Sequence, residues 1–151
     1  MRDKRYVAKQ RGGSLSIEQH VQLIQWACNC SEHVLHLFGK GIDQRLENAL
    51  RVAKAWKLGR ASVGDARKAS LEAIAVANEA SDKTAIAVAR AVGHAVATAH
   101  MADHSLGSAW YALKAVKSAG GSIDEERRWQ NEQLPSEVRD LVLTARKIRN
   151  L

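Results

Sequence analysis

The sequence predicts an all-α fold, a compact bundle of about six to seven helices joined as antiparallel hairpins. Apolar residues recur at helical spacing in each periodic segment, and no useful length of chain alternates with the period of two that marks a strand. Each helical segment has a capping residue at one end and a stop at the other. The 25 alanines let helix axes approach closely, and connections of a few residues favour antiparallel neighbours. These features predict a single helical domain over residues 1–151.

The first two predicted helices follow a basic N-terminal arm, residues 1–13. Ser16 lies three residues before Gln19, the pattern of an N-cap with a capping box, and the apolar stripe that follows runs to Phe38. Gly39 ends this helix as a C-terminal glycine does. The second helix repeats the pattern, and its cap and stop are Asp43 and Gly59. We therefore expect two helices joined by a short glycine-containing turn.

The third predicted helix begins at Ser62, with Asp65 three residues on as the second half of a capping box. Small or aliphatic residues at helical spacing form its expected inner face, namely Ala66, Ala69, Ala73, Ile74 and Ala77. The fourth helix starts at Ser81 or Asp82 and runs through Ala102. It is apolar nearly all round, which indicates a helix surrounded by other helices.

Three further helices complete the prediction. The fifth spans residues 105–119 and ends at a pair of glycines. The sixth is capped by Ser122, and its charged face is solvated while Trp129 turns inward. The seventh runs from Pro135 or Ser136 to the end of the chain.

The formal net charge of +7 favours an acidic partner. Four cations occupy outward positions on or just after the second helix, and we name them the basic ridge: Arg51, Lys54, Lys57 and Arg60. The opposite side of that helix is committed to the core by Leu46, Leu50 and Ala53. We expect the basic ridge to contact a partner protein through an acidic surface.

The N-terminus is basic, but no apolar run follows it, and no run of about 18 apolar residues occurs anywhere in the sequence. We therefore expect no signal peptide, no membrane span and a cytoplasmic location. The oligomeric state is left open by the sequence.

The two cysteines, Cys28 and Cys30, point about 200° apart on a helix, so a disulfide between them is not expected. Together with His33 and His36 they form a weak zinc-like pattern, but structural zinc sites separate paired cysteines more widely. We interpret the cysteines as small apolar side chains on a helix, and we expect no cofactor.

The stretch "GHAVATAHMADHSLGS" holds three of the six histidines. One interpretation is a metal site, with His100 and His104 one helical turn apart and His94 on the same broad face. The interpretation we favour is structural, because polar groups on a buried helix need partners. The expected members of this buried polar cluster are Asp65, Arg90, His94, His100 and Asp103.

The sequence contains no nucleophile elbow, no phosphate-binding glycine loop and no H-E-x-x-H motif, so we predict no catalytic residues and a protein that is not an enzyme. Two alternatives remain open. One is a metal-binding or enzymatic protein that uses the cluster His94, His100, Asp103 and His104. The other is a basic accessory protein that binds nucleic acid, although the cations drift round the second helix instead of forming one stripe with stacking aromatics.

Several blocks of sequence carry a family resemblance, among them "GGSLSIEQH", "SVGDARKAS", "GHAVATAHMADHSLG" and "ERRWQNEQLP". Taken together they resemble the bacterial proteins called putative immunity proteins, a small helical class associated with polymorphic toxin systems. The resemblance covers nearly the whole chain. It implies stoichiometric binding and neutralisation of a cognate toxin without turnover, and it carries no site residues with it.

Overall fold

The computed structural model describes residues 2–39 and 41–151, and these residues contain seven α-helices. The helices are α1 (Ile17–His33), α2 (Gln44–Lys57), α3 (Val63–Glu79), α4 (Lys83–Ala97), α5 (His104–Ser118), α6 (Ile123–Glu132) and α7 (Ser136–Arg149). Helix α4 lies at the centre, where it contacts α1, α2, α3 and α5. The predicted all-α bundle is confirmed.

The predicted caps are present at the start of most helices. The Ser16 hydroxyl accepts a hydrogen bond from the backbone N–H of Gln19, whose side chain accepts one from the Ser16 N–H in return. Ser62 and Asp65 form the same reciprocal box at α3. The remaining side-chain caps are Asp43 on α2, Asp82 on α4 and Ser122 on α6. Each cap satisfies a backbone N–H that has no partner within its helix.

Two helices end earlier than the sequence predicts. Helix α1 stops at His33, and a short 3₁₀ helix, Leu35–Phe38, covers the rest of the predicted length. Helix α4 stops at Ala97, where the hydroxyl of Thr98 donates to the carbonyl of His94 at 3.0 Å. The residues after Thr98 continue in tight turns held by backbone hydrogen bonds, among them Ala99 N–H to the Val96 carbonyl and His100 N–H to the Ala97 carbonyl.

The inner face of α3 is nearly as predicted. Its four alanines are buried, but Ile74 is 44% exposed and Val76 is buried in its place. Ile74 follows Ala73 by a single residue and is therefore rotated about 100° out of the stripe. The core between α2, α3 and α4 consists mainly of alanine and valine, which permits close helix packing.

The N-terminal arm folds against the end of the chain. Tyr6 is 1% exposed, and its hydroxyl donates to the carbonyl of Leu141 at 3.2 Å. The same hydrophobic cluster contains Leu15, which follows the arm, and Val138 and Val142 from α7. Trp129 on α6 is partly buried and stacks on His33 with ring centroids 3.5 Å apart. Within residues 2–39 and 41–151, no helix is both long and apolar enough to cross a membrane.

Candidate partner-binding surface

The histidines of α4 and α5 form a pair and not a trio. The Nδ1 atoms of His94 and His104 lie 3.0 Å apart, which is hydrogen-bond distance when one nitrogen is protonated and the other is not. Burial, with smaller contributions from His104 and Arg90, lowers the pKa of His94 to about 4. His100 lies instead in a separate small cavity beside Arg2 and His20.

The described residues contain no group of three or more histidine, cysteine or acidic side chains that could hold a metal ion. The expectation that His100 and His104 stack one turn apart on a helix is wrong, because α4 ends before His100 and α5 begins at His104. The break in the helix turns the two imidazoles onto different surfaces. A histidine pair remains, formed by His94 and His104.

The structure does not assemble the predicted buried polar cluster. Asp65 is exposed in the first turn of α3, where it belongs to the capping box. Arg90 is also exposed, and Asp103 is paired with Arg2 at 3.1 Å. His94 and His100 are only partly buried, and they belong to different cavities. The prediction expected the carboxylates of Asp65 and Asp103 to reach the polar side chains of α4, and in the structure both carboxylates have other partners.

The two cysteines are free and buried in α1. Burial raises the pKa of the Cys28 thiol to about 12, so the thiolate that binds metals is disfavoured. His33, from the zinc-like pattern, donates from its Nδ1–H to a carboxylate oxygen of Glu126 on α6, with the two atoms 2.6 Å apart. The cysteines therefore serve packing, as expected from their position on a helix.

The four cations of the basic ridge fall into two pairs, one with polar partners on α1 and one beside a groove. Lys54 pairs with Glu32 of α1 at 3.0 Å, and Lys57 donates to the side-chain oxygen of Gln25. Arg51 and Arg60 remain exposed beside a groove of about 360 Å³ between α2 and α3. Asp65 and Glu72 line that groove as well, so its charge is mixed. Two of the four ridge cations thus have polar partners on α1, although Lys54 itself is still exposed.

A second and larger surface lies between α4 and α5. It is a groove of about 660 Å³, which we name the α4–α5 groove, lined by Lys83, Ile86, Ala87, Arg90, Tyr111, Lys114, Lys117 and Ser118. Along each helix these residues recur at intervals of three or four, which places them on one face. Ile86, Ala87 and Tyr111 provide its apolar part, and four cations surround them.

Aromatic rings position two of these cations. The Lys114 Nζ lies 4.0 Å from the centroid of the Trp110 ring, and the Arg90 guanidinium carbon lies 5.8 Å from that of Tyr111. Such cation–π contacts are worth about 0.5–1 kcal/mol at exposed sites. They hold the charges at the groove without neutralising them.

No carboxylate from residues 2–39 or 41–151 lines the α4–α5 groove. Its four cations are also absent from the salt bridges formed within that part of the chain. The groove therefore carries concentrated positive charge, in contrast to the mixed groove beside the basic ridge.

The histidine pair continues this face toward the other end of the two helices. The ring of His94 stacks on Tyr111 with centroids 5.2 Å apart. Beyond it, His104 and Trp110 line a further cavity of about 360 Å³, together with Arg149 from α7. Sequence reasoning missed this face because its residues come from two segments that only the packing of α4 on α5 brings together.

A family model matches most of the chain. The family model described as "Imm-5 like putative immunity protein" matches residues 13–137. The matched range includes α1 to α6 and the whole α4–α5 groove. The comparisons with curated proteins and with solved structures each found no match.

Proposed function

Because the chain belongs to the Imm-5 like putative immunity protein family, we propose that it binds a cognate bacterial toxin stoichiometrically and blocks the activity of that toxin. The family match, over residues 13–137, is the observation that carries this proposal. The family also suggests a role without catalysis. We place the encounter with the toxin in the bacterial cytoplasm.

The charge of the protein points to the chemistry of the contact. With a formal net charge of +7, the protein attracts surfaces rich in aspartate and glutamate. Complementary charge mainly speeds association and selects the correct partner, and it adds less to the final affinity. We therefore propose that the toxin is acidic where it contacts this protein.

Two surfaces are candidates for that contact. The basic ridge offers Arg51 and Arg60 to a partner, while Lys54 and Lys57 are already held against α1. The other candidate is the α4–α5 groove. The pair substitution Arg51→Glu with Arg60→Glu tests the ridge, because both side chains are exposed and surface changes usually alter stability by only about ±0.5 kcal/mol.

The experiment is to search the neighbouring reading frames for a toxin-like protein and to co-express that protein with this one. Cells that produce the toxin alone should stop growing, and cells that also produce this protein should survive. Purified together, the two proteins should form a complex of equal stoichiometry in light scattering coupled to size-exclusion chromatography. An unrelated toxin serves as the control and should kill in both cases.

Two results would contradict the proposed function. One is unchanged killing in the presence of well-expressed, folded protein. The other is recovery of RNA or DNA in place of a protein partner, with binding that weakens steeply as salt is added, which is the behaviour of a nucleic-acid-binding protein.

A further inference from the structure

We propose that the α4–α5 groove is the docking site for a short acidic segment of the partner protein, whose carboxylates pair with Lys83, Arg90, Lys114 and Lys117. The identification of that partner as a toxin rests on the proposed function above. The chemistry of the docked segment follows from the groove alone. The docked segment should carry carboxylates that pair with the four cations and an apolar side chain that packs against Ile86, Ala87 and Tyr111.

The first support is the way charge is distributed over the molecule. Some cations on other faces pair with a nearby carboxylate, as in Arg2–Asp103, Lys54–Glu32 and Arg127–Asp124, and others do not. The groove beside the basic ridge, for comparison, is lined by both cations and carboxylates. At the α4–α5 groove four cations share a small area, and no carboxylate of the described chain lines it. Like charges held close together repel one another, and a bound anionic segment relieves that repulsion.

The second support is the apolar part of the groove. Ile86 and Tyr111 are only partly buried, so a partner can still remove their surface from water. Interfaces concentrate their binding energy in tyrosine, tryptophan and arginine surrounded by contacts that exclude water. The groove presents Tyr111 beside Arg90, which matches that composition, and Trp110 lies next to it under Lys114, in the neighbouring cavity.

The aromatic content of the groove favours a short peptide segment over a nucleic-acid strand, and its length fits such a segment. Lys83 and Arg90 are seven residues apart on α4, which corresponds to about 10 Å along the helix axis. An extended peptide spans that distance with about three residues. Nucleic-acid tracks add aromatic platforms for successive bases, whereas Tyr111 is the one aromatic residue among the described residues that line this groove.

The direct test uses a fluorescein-labelled hexapeptide of glutamate and leucine as the probe, with binding followed by fluorescence anisotropy at low salt. The variant Arg90→Glu with Lys114→Glu should weaken binding by about tenfold or more, because two attractive charges become repulsive. The matched control is Arg128→Glu with Lys147→Glu. It makes the same change in net charge at exposed positions on α6 and α7, and it should change the affinity by about twofold at most.

The proposal is overturned if both variants weaken binding equally, because the peptide then responds only to net charge. It is also overturned if the peptide fails to bind, or if an oligothymidine probe of equal charge binds more tightly through the same cations. Circular dichroism melting checks that each variant is folded. If the charge reversal unfolds the protein, Arg90→Gln with Lys114→Gln replaces it and should still weaken binding.

The toxin assay separates this inference from the proposed function. If the wild-type protein protects cells and the folded groove variant protects them equally well, the groove is not the contact, although the immunity function stands. If the wild-type protein neither protects nor binds the toxin while the peptide still binds at the groove, the docking chemistry stands and the immunity function fails. If the groove variant loses both protection and peptide binding while the control variant keeps both, the immunity function and the docking site are both supported.

Discussion

The imidazole of His94 is held neutral by its position between α4 and α5. Burial is the main cause, and the neighbouring His104 and Arg90 add to it, so its pKa falls to about 4. In the unfolded chain a histidine binds its proton below a pH of about 6.5. Between these two values the unfolded state therefore binds more protons than the folded state, and stability is lost as the pH falls.

We expect the free energy of unfolding to decrease as the pH is lowered from about 6.5 to about 4. The contribution of His94 by pH 5 is about 1 kcal/mol, allowing for solvent screening of a partly buried group. Urea denaturation near pH 7.5 and near pH 5 measures the difference. His94→Gln should reduce this pH dependence, whereas His36→Gln, at an exposed position, should leave it intact. If the pH dependence of stability is unchanged in His94→Gln, the lowered pKa of His94 is not its cause.

The histidines also lead to a prediction about metal. His94 and His104 have each other as partners, and His100 lies in a different cavity. We expect purified protein to carry no stoichiometric zinc, iron or nickel, and a chelator to leave its melting temperature unchanged. Elemental analysis and a thermal melt with and without chelator check both points. One equivalent of metal that is lost, together with stability, in His104→Ala would establish a metal site instead.

At the scale of the helices, two glycines show how packing decides the effect of one methyl group. Gly93 lies within α4, where an added Cβ would meet the nearest side-chain atoms, of Ala73 and Ile74, at 3.6 Å, an ordinary contact. Gly107 lies within α5, where an added Cβ would come 2.6 Å from the His94 Nδ1. One helix interface has room for the methyl group and the other does not.

We expect Gly93→Ala to stabilise the protein by up to about 1 kcal/mol, because alanine favours a helix over glycine by that amount. Gly107→Ala gains the same helix propensity but must displace His94, and we expect a net loss of about 1–3 kcal/mol. Thermal and urea unfolding of the two single variants measure both effects. Equal changes in stability would show that the His94 side chain moves aside without cost.

The starts of the helices could be predicted from the sequence, but two of their ends could not. A capping box depends on residues three apart, such as Ser62 and Asp65, so the local sequence contains all of it. The end of α4 comes with the tight turns that lead into α5, and residues 98–102 keep the apolar pattern of the helix before them. The end of α1 likewise gives way to a 3₁₀ helix over residues that keep the apolar pattern.

The surface residues, like the helix ends, could be predicted only where the local sequence determines them. The outward positions of α2 followed from periodicity, but the partners of Lys54 and Lys57 lie on α1, and nothing in the sequence of α2 reveals them. The α4–α5 groove was missed because it needs Arg90 and Lys114 to meet across a helix pair. A signal was present in retrospect, since both helices place cations at helical spacing beside an aromatic or aliphatic residue.

At the scale of the whole molecule, the segments outside the family match pack against each other. The N-terminal arm precedes residue 13 and most of α7 follows residue 137. Tyr6 from the arm and Val138 and Val142 from α7 nevertheless share one hydrophobic cluster with Trp26 of α1. These contacts indicate that both ends of the chain complete the core of the matched helices.

The last prediction follows from that arrangement and concerns Tyr6. Tyr6→Ala should lower the free energy of unfolding by about 3–5 kcal/mol, as removal of a buried aromatic ring usually does, because it empties the space between the arm and α7. Tyr6→Phe keeps the ring and loses only the hydrogen bond to the Leu141 carbonyl, at a cost of about 1 kcal/mol. Urea unfolding followed by both tryptophan fluorescence and far-ultraviolet circular dichroism measures these changes. Coincident transitions at lower urea in Tyr6→Ala would show that arm, α7 and matched helices unfold as one unit. A Tyr6→Ala variant as stable as wild type would mean instead that the arm is not part of the cooperative core.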